Sequence, residues 1–187
     1  RRLRSVVVAW YNANREARGL ERLAPEPEDT EELVASDFSL TWGDRGHAEE
    51  VLELDHDAFL ELFPRDDPQQ LEERYRERRA GLPSPAEPAS ALLIAETPTG
   101  ELVGYAWGVV DGEDVHLAQL VVVRELRGIG LGEALLRTFL SDLRERGVRT
   151  LTTELEGKSL RFSQFFQSLG FRQRSELLEC SLDSLGF

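Results

Sequence analysis

Three alternating glycines mark the stretch of this sequence best suited to chemistry. Gly128, Gly130 and Gly132 follow an apolar run over 120–123 and precede a helical pattern that begins near Leu131. Glycine lets the backbone adopt positive φ and approach a ligand closely. The free N–H groups in the first turn of the helix, together with its dipole, would then form an anion site suited to a pyrophosphate. A tight turn alone does not need three glycines, so the pattern favours a bound ligand.

Two well-known phosphate motifs fit this turn poorly. A P-loop requires Gly-Lys-Ser/Thr, and the turn has no lysine. A dinucleotide fingerprint, G-x-G-x-x-G, places its third glycine one residue later than Gly132, and its strand opens a βαβ unit rather than following a hairpin. A nucleotide-binding protein therefore stays only as a third hypothesis.

The elements that must position the turn follow from hydrophobic spacing and from Pro and Gly breaks. We predict a strand (38–42), two helices (48–62 and 68–80) and a three-strand antiparallel meander (91–96, 101–110 and 115–123). After the glycine turn we predict a helix (131–146), a strand (148–155), a helix (159–169) and a last strand (171–182). The predicted fold class is therefore α/β (α+β), with a mixed, mainly antiparallel sheet flanked by helices.

The turn and this element order resemble the GCN5-related N-acetyltransferase (GNAT) family. The family's signature is Arg or Gln, two residues, Gly, one residue, then Gly or Ala, and Arg127-Gly128-Ile129-Gly130-Leu131-Gly132 fits it fully. Leu169-Gly170-Phe171 resembles the family's second landmark, a helix that ends in a Leu-Gly-Phe turn. The resemblance covers about 150 of the 187 residues.

The resemblance implies acetyl-CoA as the cofactor. In the family, the strand before the signature splays from its neighbour, and its backbone pairs with the pantetheine arm and polarises the thioester carbonyl. The residues implied in cofactor binding are Leu120, Val121, Val122, Arg127, Gly128, Ile129, Gly130, Leu131, Gly132, Glu133 and Ser159. Backbone N–H groups from Gly128 to Glu133 would hold the pyrophosphate, so the carboxylate of Glu133 must point away or weaken binding. Ser159 stands where many members have an asparagine that bonds the cofactor.

The implied reaction is direct attack of an amine on the thioester, which needs a base for the ammonium proton. Glu154 is the candidate, because it ends the strand after the signature helix, where some members have a catalytic glutamate. Glu156, His116 and Glu113 are the alternatives. For the carboxylates, a solvated strand end is the plain structural explanation.

The candidate acid departs from the family pattern. Four residues before the Gly of Leu-Gly-Phe, where the family has tyrosine, this chain has Phe166, which has no proton to give. Tyr105, Ser163 and Ser168 are possible substitutes, and water could protonate the thiolate. The main hypothesis is thus an acetyl-CoA-dependent N-acetyltransferase; the alternative is a non-catalytic acyl-CoA-binding sensor or scaffold.

Composition limits the partners. The chain carries 35 Asp+Glu against 22 Lys+Arg, a net charge of −13, which argues against nucleic acid or an anionic membrane as a partner. The net acidic segment over 42–90 would suit a small-molecule or peptide amine acceptor. The single cysteine, Cys180, excludes a disulfide framework and a cysteine-based zinc site. Asp55-His56-Asp57 is interpreted as a solvated helical face rather than a metal site, and no metal is expected.

The chain is expected to divide at about residue 35. Residues 1–35 are predicted to form an N-terminal helix over 3–18 and an acidic, Pro-punctuated linker, and residues 36–187 the GNAT-like domain. The helix could pack on the domain, cover a sheet edge or mediate a homodimer. No stretch approaches the roughly 18 apolar residues of a membrane span, and the expected location is the cytoplasm.

Overall fold

The computed structural model describes residues 34–63, 66–80, 84–155 and 160–173. The chain divides into two compact units after Thr153, and each unit is described by itself. The predicted helix over 3–18 and its linker, and also Glu156, Ser159 and Cys180, lie outside the described residues. The predicted last strand lies mostly outside them as well; residues 171–173 are not in a strand.

The first unit contains one five-stranded sheet. Its strands, in both chain order and sheet order, are β1 (Ser39–Trp42), β2 (Ser90–Glu96), β3 (Leu102–Asp111), β4 (Asp114–Val122) and β5 (Thr150–Thr153). The first four run antiparallel and β5 runs parallel to β4. The helices are α1 (Ala48–Leu62), α2 (Pro68–Ala80) and α3 (Leu131–Glu145) in this unit and α4 (Leu160–Ser168) in the second. The predicted mixed, mainly antiparallel sheet with flanking helices is confirmed.

Helix α3 packs closely on one face of the sheet because β3 has glycines there. A Cβ on Gly104 would lie 3.2 Å from Cδ1 of Leu135, and one on Gly108 would lie 3.2 Å from Cζ of Phe139. Both α3 side chains are fully buried, and their four-residue spacing puts them on one side of the helix. The glycines therefore set the depth at which α3, and with it the glycine turn, sits on the sheet.

Helix α1 covers the opposite face. Side chains alternate along a strand, so Tyr105 and Trp107 point away from α3, and they pack with Val51 of α1 and Val121 of β4 in one buried cluster. The sheet is thus covered on both sides around β3 and β4.

Strand β5 is shorter than the prediction of 148–155, because its first residues end the preceding helix. Gly147 has φ 92°, and the N–H of Val148 bonds to the carbonyl of Leu143 at 3.0 Å. This is a Schellman cap, in which the residue after the left-handed glycine bonds back into the last turn. Val148 therefore cannot also begin the strand.

Asp55 is buried, so the expectation of a solvated helical face is wrong for this residue. Its side chain is 4% exposed, and its carboxylate accepts the hydroxyls of Tyr105 at 2.8 Å and Tyr75 at 3.1 Å. Burial first, and then the Asp55 charge, raises the pKa of Tyr105 well above its usual value. The Tyr105 hydroxyl therefore keeps its proton and remains a donor that ties β3 to α1.

Replacing Asp55 with alanine should destabilise the fold. The change leaves the fully buried Tyr105 hydroxyl without an acceptor, which costs about 1–3 kcal/mol. Urea denaturation would measure the loss. Asp57→Ala is the matched control, because Asp57 is exposed on the same helix, and it should change stability by less than about 0.5 kcal/mol. Equal effects of the two changes would contradict the buried network.

Candidate functional site

The second half of β4 has a free edge. Parallel pairing with β5 joins Asp114–Leu117 to Thr150–Thr153 and stops there. Among the described residues, the stretch over 118–122 pairs only with β3. An unpaired strand edge presents a row of free N–H and C=O groups, so this half of β4 can bond an extended ligand through its backbone.

A bulge lies where the edge becomes free. Trp107 pairs with Gln119 and Gly108 with Leu117, which leaves Ala118 as one extra residue on β4. A bulge bends its strand and increases the local twist. The bend in β4 therefore coincides with the end of its pairing to β5.

The glycine turn brings the chain from β4 into α3. After a short 3₁₀ turn at Arg124–Leu126, Gly128 and Gly130 adopt φ of 90° and 89°, a left-handed conformation that glycine accepts without a Cβ penalty. A Cβ on either glycine would meet no atom within 4 Å. Open space therefore lies beside the turn, where a ligand could approach the backbone.

The first turn of α3 presents free donors toward an anion. Its first described backbone bond runs from the N–H of Ala134 to the carbonyl of Gly130 at 2.9 Å, and no side chain caps the helix. The N–H groups of Leu131, Gly132 and Glu133 consequently have no acceptor within the helix. With the helix dipole, these N–H groups are suited to bind an anion, which is what the sequence predicts for this turn.

Arg127 ties the turn to β4 and to α1. Its Nε donates to the carbonyl of Val122 at 2.8 Å, and its Nη2 donates to Oε2 of Glu61 at 2.8 Å. The ion pair is about half exposed, so its contribution to stability is small. Arg127 therefore positions the turn, and Glu61 neutralises much of its charge.

Glu133 has a partner on its own helix. Its Oε1 accepts Nε of Arg137 at 2.7 Å, one turn further along α3. Its carboxylate is thus engaged with a residue nearer the C-terminus of α3, and Arg137 offsets its charge near the anion site.

A small open pocket lies between α1 and the end of β4. Asp57, Ala58 and Glu61 of α1 line one side, and Val121 and the segment over 122–127 line the other. It is therefore on the α1 face of the sheet, next to the free edge of β4, where an acceptor molecule could meet a ligand on that edge.

The candidate bases occupy different places. Glu113 lies in the turn before β4, in an ion pair with Arg149, about 23 Å along the strand from Leu120 at 3.3 Å per residue. His116 is about 13 Å from Leu120 on the same measure and contacts Oγ1 of Thr152 through Nδ1 at 3.3 Å. Glu154 directly follows β5, is exposed, and begins the second unit. Of the two candidates at β4 and the turn before it, Glu113 is thus the more remote from Leu120 along the strand.

Tyr105 is a core residue. It is fully buried and donates to Asp55, so it has no exposed hydroxyl with which to protonate a leaving group. In the second unit, Oγ of Ser168 donates to the carbonyl of Phe165 at 2.7 Å, and Oγ of Ser163 accepts from Gln167 at 3.3 Å.

The Leu-Gly-Phe turn closes α4 by the same cap that ends α3. Gly170 has φ 93°, and the N–H of Phe171 bonds to the carbonyl of Phe166 at 3.1 Å. The Phe166 ring packs edge-on against Phe165 and Phe171 and is 7% exposed. Within this unit, the side chain in the place of the family tyrosine is therefore a packing residue.

Sequence patterns did not single out two polar residues near β4. Glu61, which holds Arg127, looked like one more charge on an acidic helix. Gln119 is an amide inside the apolar run of β4, and that interruption was the signal that could have drawn attention to it.

The described residues include no group of three or more His, Cys, Asp or Glu side chains that could hold a metal ion. None of the helices they form is long and apolar enough to cross a membrane.

Comparisons with known proteins agree with this geometry. Residues 48–171 match the model of the Acetyltransferase (GNAT) family. A mycothiol acetyltransferase from Propionibacterium freudenreichii is 33% identical over 86 residues, which are 44% of this chain and 28% of that protein. A second curated relative, an uncharacterized N-acetyltransferase from Methanocaldococcus jannaschii, is 30% identical over 47% of this chain and 56% of its own length. The chain thus matches well under two thirds of either relative.

Solved structures share the fold. An acetyl transferase candidate from Pyrococcus furiosus superimposes with a TM-score of 0.64 at 23% identity, over 78% of this chain and 99% of that one. The aminoglycoside N-acetyltransferase AAC(6')-Iy, solved in complex with CoA, gives a TM-score of 0.53 at 16% identity, over 77% and 93% of the two chains.

Alanine at two glycines of the turn should shift stability in opposite directions. Gly130→Ala forces a Cβ into a left-handed conformation, at a cost of about 1–2 kcal/mol. Gly132→Ala, the matched control, should stabilise α3 by up to about 1 kcal/mol, because alanine is the better helix former and its Cβ would make only an ordinary contact, 3.7 Å from Val122. Urea denaturation of both variants measures the difference. Equal shifts would contradict the turn geometry.

Proposed function

Because the chain belongs to the GNAT family of acetyltransferases, we propose that it is an acetyl-CoA-dependent N-acetyltransferase that acts on an amine acceptor. One observation carries the proposal: the free edge of β4 leads directly into the uncapped N-terminus of α3. An extended arm that ends in a pyrophosphate needs such a combination. Acetyl-CoA supplies an acetyl thioester on that kind of arm.

The residues present fit this ligand. The backbone of Leu120, Val121 and Val122 would bond the pantetheine arm along this edge, with the Val122 carbonyl also accepting from Nε of Arg127. The N–H groups from Gly128 to Glu133 would hold the pyrophosphate, with open space beside both left-handed glycines. Arg127 keeps the turn in place through Val122 and Glu61. Ser159 is proposed as a further cofactor contact on the family resemblance alone.

The proposed reaction transfers the acetyl group by direct attack of the amine. A backbone N–H at the free edge of β4 would stabilise the developing charge on the carbonyl oxygen. Glu154 is proposed to take the ammonium proton, since only the free amine attacks. Phe166 cannot donate a proton. Because a thiol has a pKa of about 8.5, the thiolate leaves without a dedicated acid and water can protonate it.

A second function is favoured by the packing of Phe166. With this side chain buried against Phe165 and Phe171, the chain could bind an acyl-CoA without catalysis, as a sensor or scaffold. The two functions share the cofactor site and differ in turnover.

Acetyl-CoA should bind the full chain, and Gly130→Glu should weaken binding at least tenfold. The substitution adds a carboxylate and a strained φ to the anion site, and isothermal titration calorimetry measures the affinity. Gly100→Glu is the matched control, because Gly100 also has positive φ, 81°, and open space around it, but it lies in the β2–β3 turn. Failure of the unmodified chain to bind, or equal loss in both variants, would count against the proposed site.

Glu154→Gln should lower kcat about 100-fold or more, the usual contribution of a general base, without changing the affinity for acetyl-CoA. The readout is thiol release from acetyl-CoA with a panel of amines. Glu145→Gln, a change at an exposed glutamate at the end of α3, should leave kcat unchanged. Tight acetyl-CoA binding with no turnover of any amine would favour the sensor or scaffold instead.

A further inference from the structure

Two buried donors in the first unit lack an acceptor among the described residues. They are Nη1 of Arg79, near the end of α2, and Nε2 of Gln119, on the free half of β4. A buried donor without a partner destabilises the fold, so native proteins rarely keep one without a reason. Because the two unpaired donors are on the same side of one sheet, one bound ligand could satisfy both.

Both donors lie against Trp107. The guanidinium carbon of Arg79 is 4.7 Å from the centre of the Trp107 ring. Gln119 is directly opposite Trp107 in the β3–β4 register, and opposed residues of an antiparallel pair project to the same face. Both residues are therefore next to Trp107 on the face that α1 covers.

The same face holds the open pocket at the end of β4. Val121 is two residues beyond Gln119, so its side chain projects to the same side of the sheet, and Val121 lines that pocket. Gln119 also directly precedes Leu120, the first residue proposed to contact the acetyl-pantetheine arm. A group bound by Gln119 would therefore be close to the reacting carbonyl.

The chemistry of the two groups specifies what they bind. A guanidinium donates and never accepts, and Nε2 of an amide is a donor. Their partner must be an oxygen acceptor. The buried carboxylate on this face, Asp55, accepts two tyrosine hydroxyls, and neither Nη1 of Arg79 nor Nε2 of Gln119 bonds to it.

We propose that Arg79 and Gln119 bind a carboxylate or carbonyl oxygen of the acceptor, close to its reactive amine, so that the acceptor is an amino acid or an amino-acid amide rather than a simple amine. This inference rests on the proposed function and deepens it. Both residues are only partly buried as a whole, and their terminal torsions rotate readily, so small side-chain rotations bring the donors to the ligand.

The experiment compares acceptors that differ only in the oxygen group. Leucine, leucinamide and 3-methylbutylamine have the same amine and side chain and differ only in bearing a carboxylate, a carboxamide or a hydrogen on the carbon next to nitrogen, as do alanine, alaninamide and ethylamine. Because a neighbouring carbonyl lowers the pKa of an amine, kcat/KM is expressed per concentration of unprotonated amine. On that basis the full chain with acetyl-CoA should show a kcat/KM about 10- to 100-fold higher for the oxygen-bearing members, the expected contribution of a hydrogen bond from a charged group. The charge of the oxygen group distinguishes the two possible ligands. A higher kcat/KM for leucine than for leucinamide identifies a carboxylate, and a higher kcat/KM for leucinamide identifies an amide carbonyl.

Substitutions test whether Arg79 and Gln119 cause the preference for oxygen-bearing acceptors. Arg79→Leu and Gln119→Leu should reduce it to less than threefold, whereas Arg76→Leu, at an exposed arginine of the same helix, should leave it intact. Gln119→Leu removes an unpaired buried donor, so its thermal midpoint should stay the same or rise. A marked fall in that midpoint would show that the amide is a structural partner and would overturn the inference.

Other outcomes separate this inference from the proposed function. Loss of acetyl-CoA binding in the unmodified chain would refute the proposed function. Normal acetyl-CoA binding with equal turnover of all three amines would overturn only the acceptor inference. If no amine is turned over, calorimetric titration of leucine and leucinamide into the CoA-saturated chain decides: no binding, or binding equal to that of 3-methylbutylamine, overturns it.

Discussion

The edge of β4 over 118–122, to which no strand other than β3 pairs among the described residues, is the constraint on which the rest of this structure depends. A strand edge with free N–H and C=O groups invites association with other chains. Here α1 and α3 cover the two faces of the sheet around β3 and β4, so the edge itself is the part of that strand left for a partner. Gly104 and Gly108 let α3 come close enough to do this. The same packing fixes where the helix N-terminus meets the end of the strand.

In this arrangement a chain of charge −13 would bind the proposed polyanionic cofactor through neutral groups. Backbone N–H groups carry no counter-charge, and they lie within hydrogen-bonding reach of a ligand at the turn. Two carboxylates beside the turn are offset by arginines: Glu61 by Arg127, and Glu133 by Arg137. More distant surface charge is screened over about 10 Å at 0.1 M salt. Local hydrogen bonding, and not net charge, therefore governs the cofactor side of the site.

Sequence patterns predicted the elements well where local signals were strong. Pro68 and the left-handed glycines at 147 and 170 each mark a helix start or end found in the structure. Asp55 could not be placed correctly, because its burial depends on two tyrosines that are 20 and 50 residues away in sequence. The same holds for Glu61 with Arg127, 66 residues apart. Polar pairs between residues far apart in sequence produce no periodic pattern. The motif therefore predicted the glycine turn, and predicts an anion site there, but it did not predict the side chains that contact the turn.

Trp42 has a consequence for how this site would take up a ligand. Its Nε1 donates to Asp142 at 2.6 Å, its ring stacks on Phe139, and Arg146 lies over it at 3.7 Å. The first strand thus anchors α3 in its C-terminal half, remote from the glycine turn. Because Leu135 also packs closely at Gly104, α3 is held at two places along its length, and a rotation of the helix would disturb one set of contacts or the other. Its N-terminal donors are preorganised, so a ligand would lose little affinity to conformational ordering there, and any closing motion during turnover would have to hinge at some place other than α3.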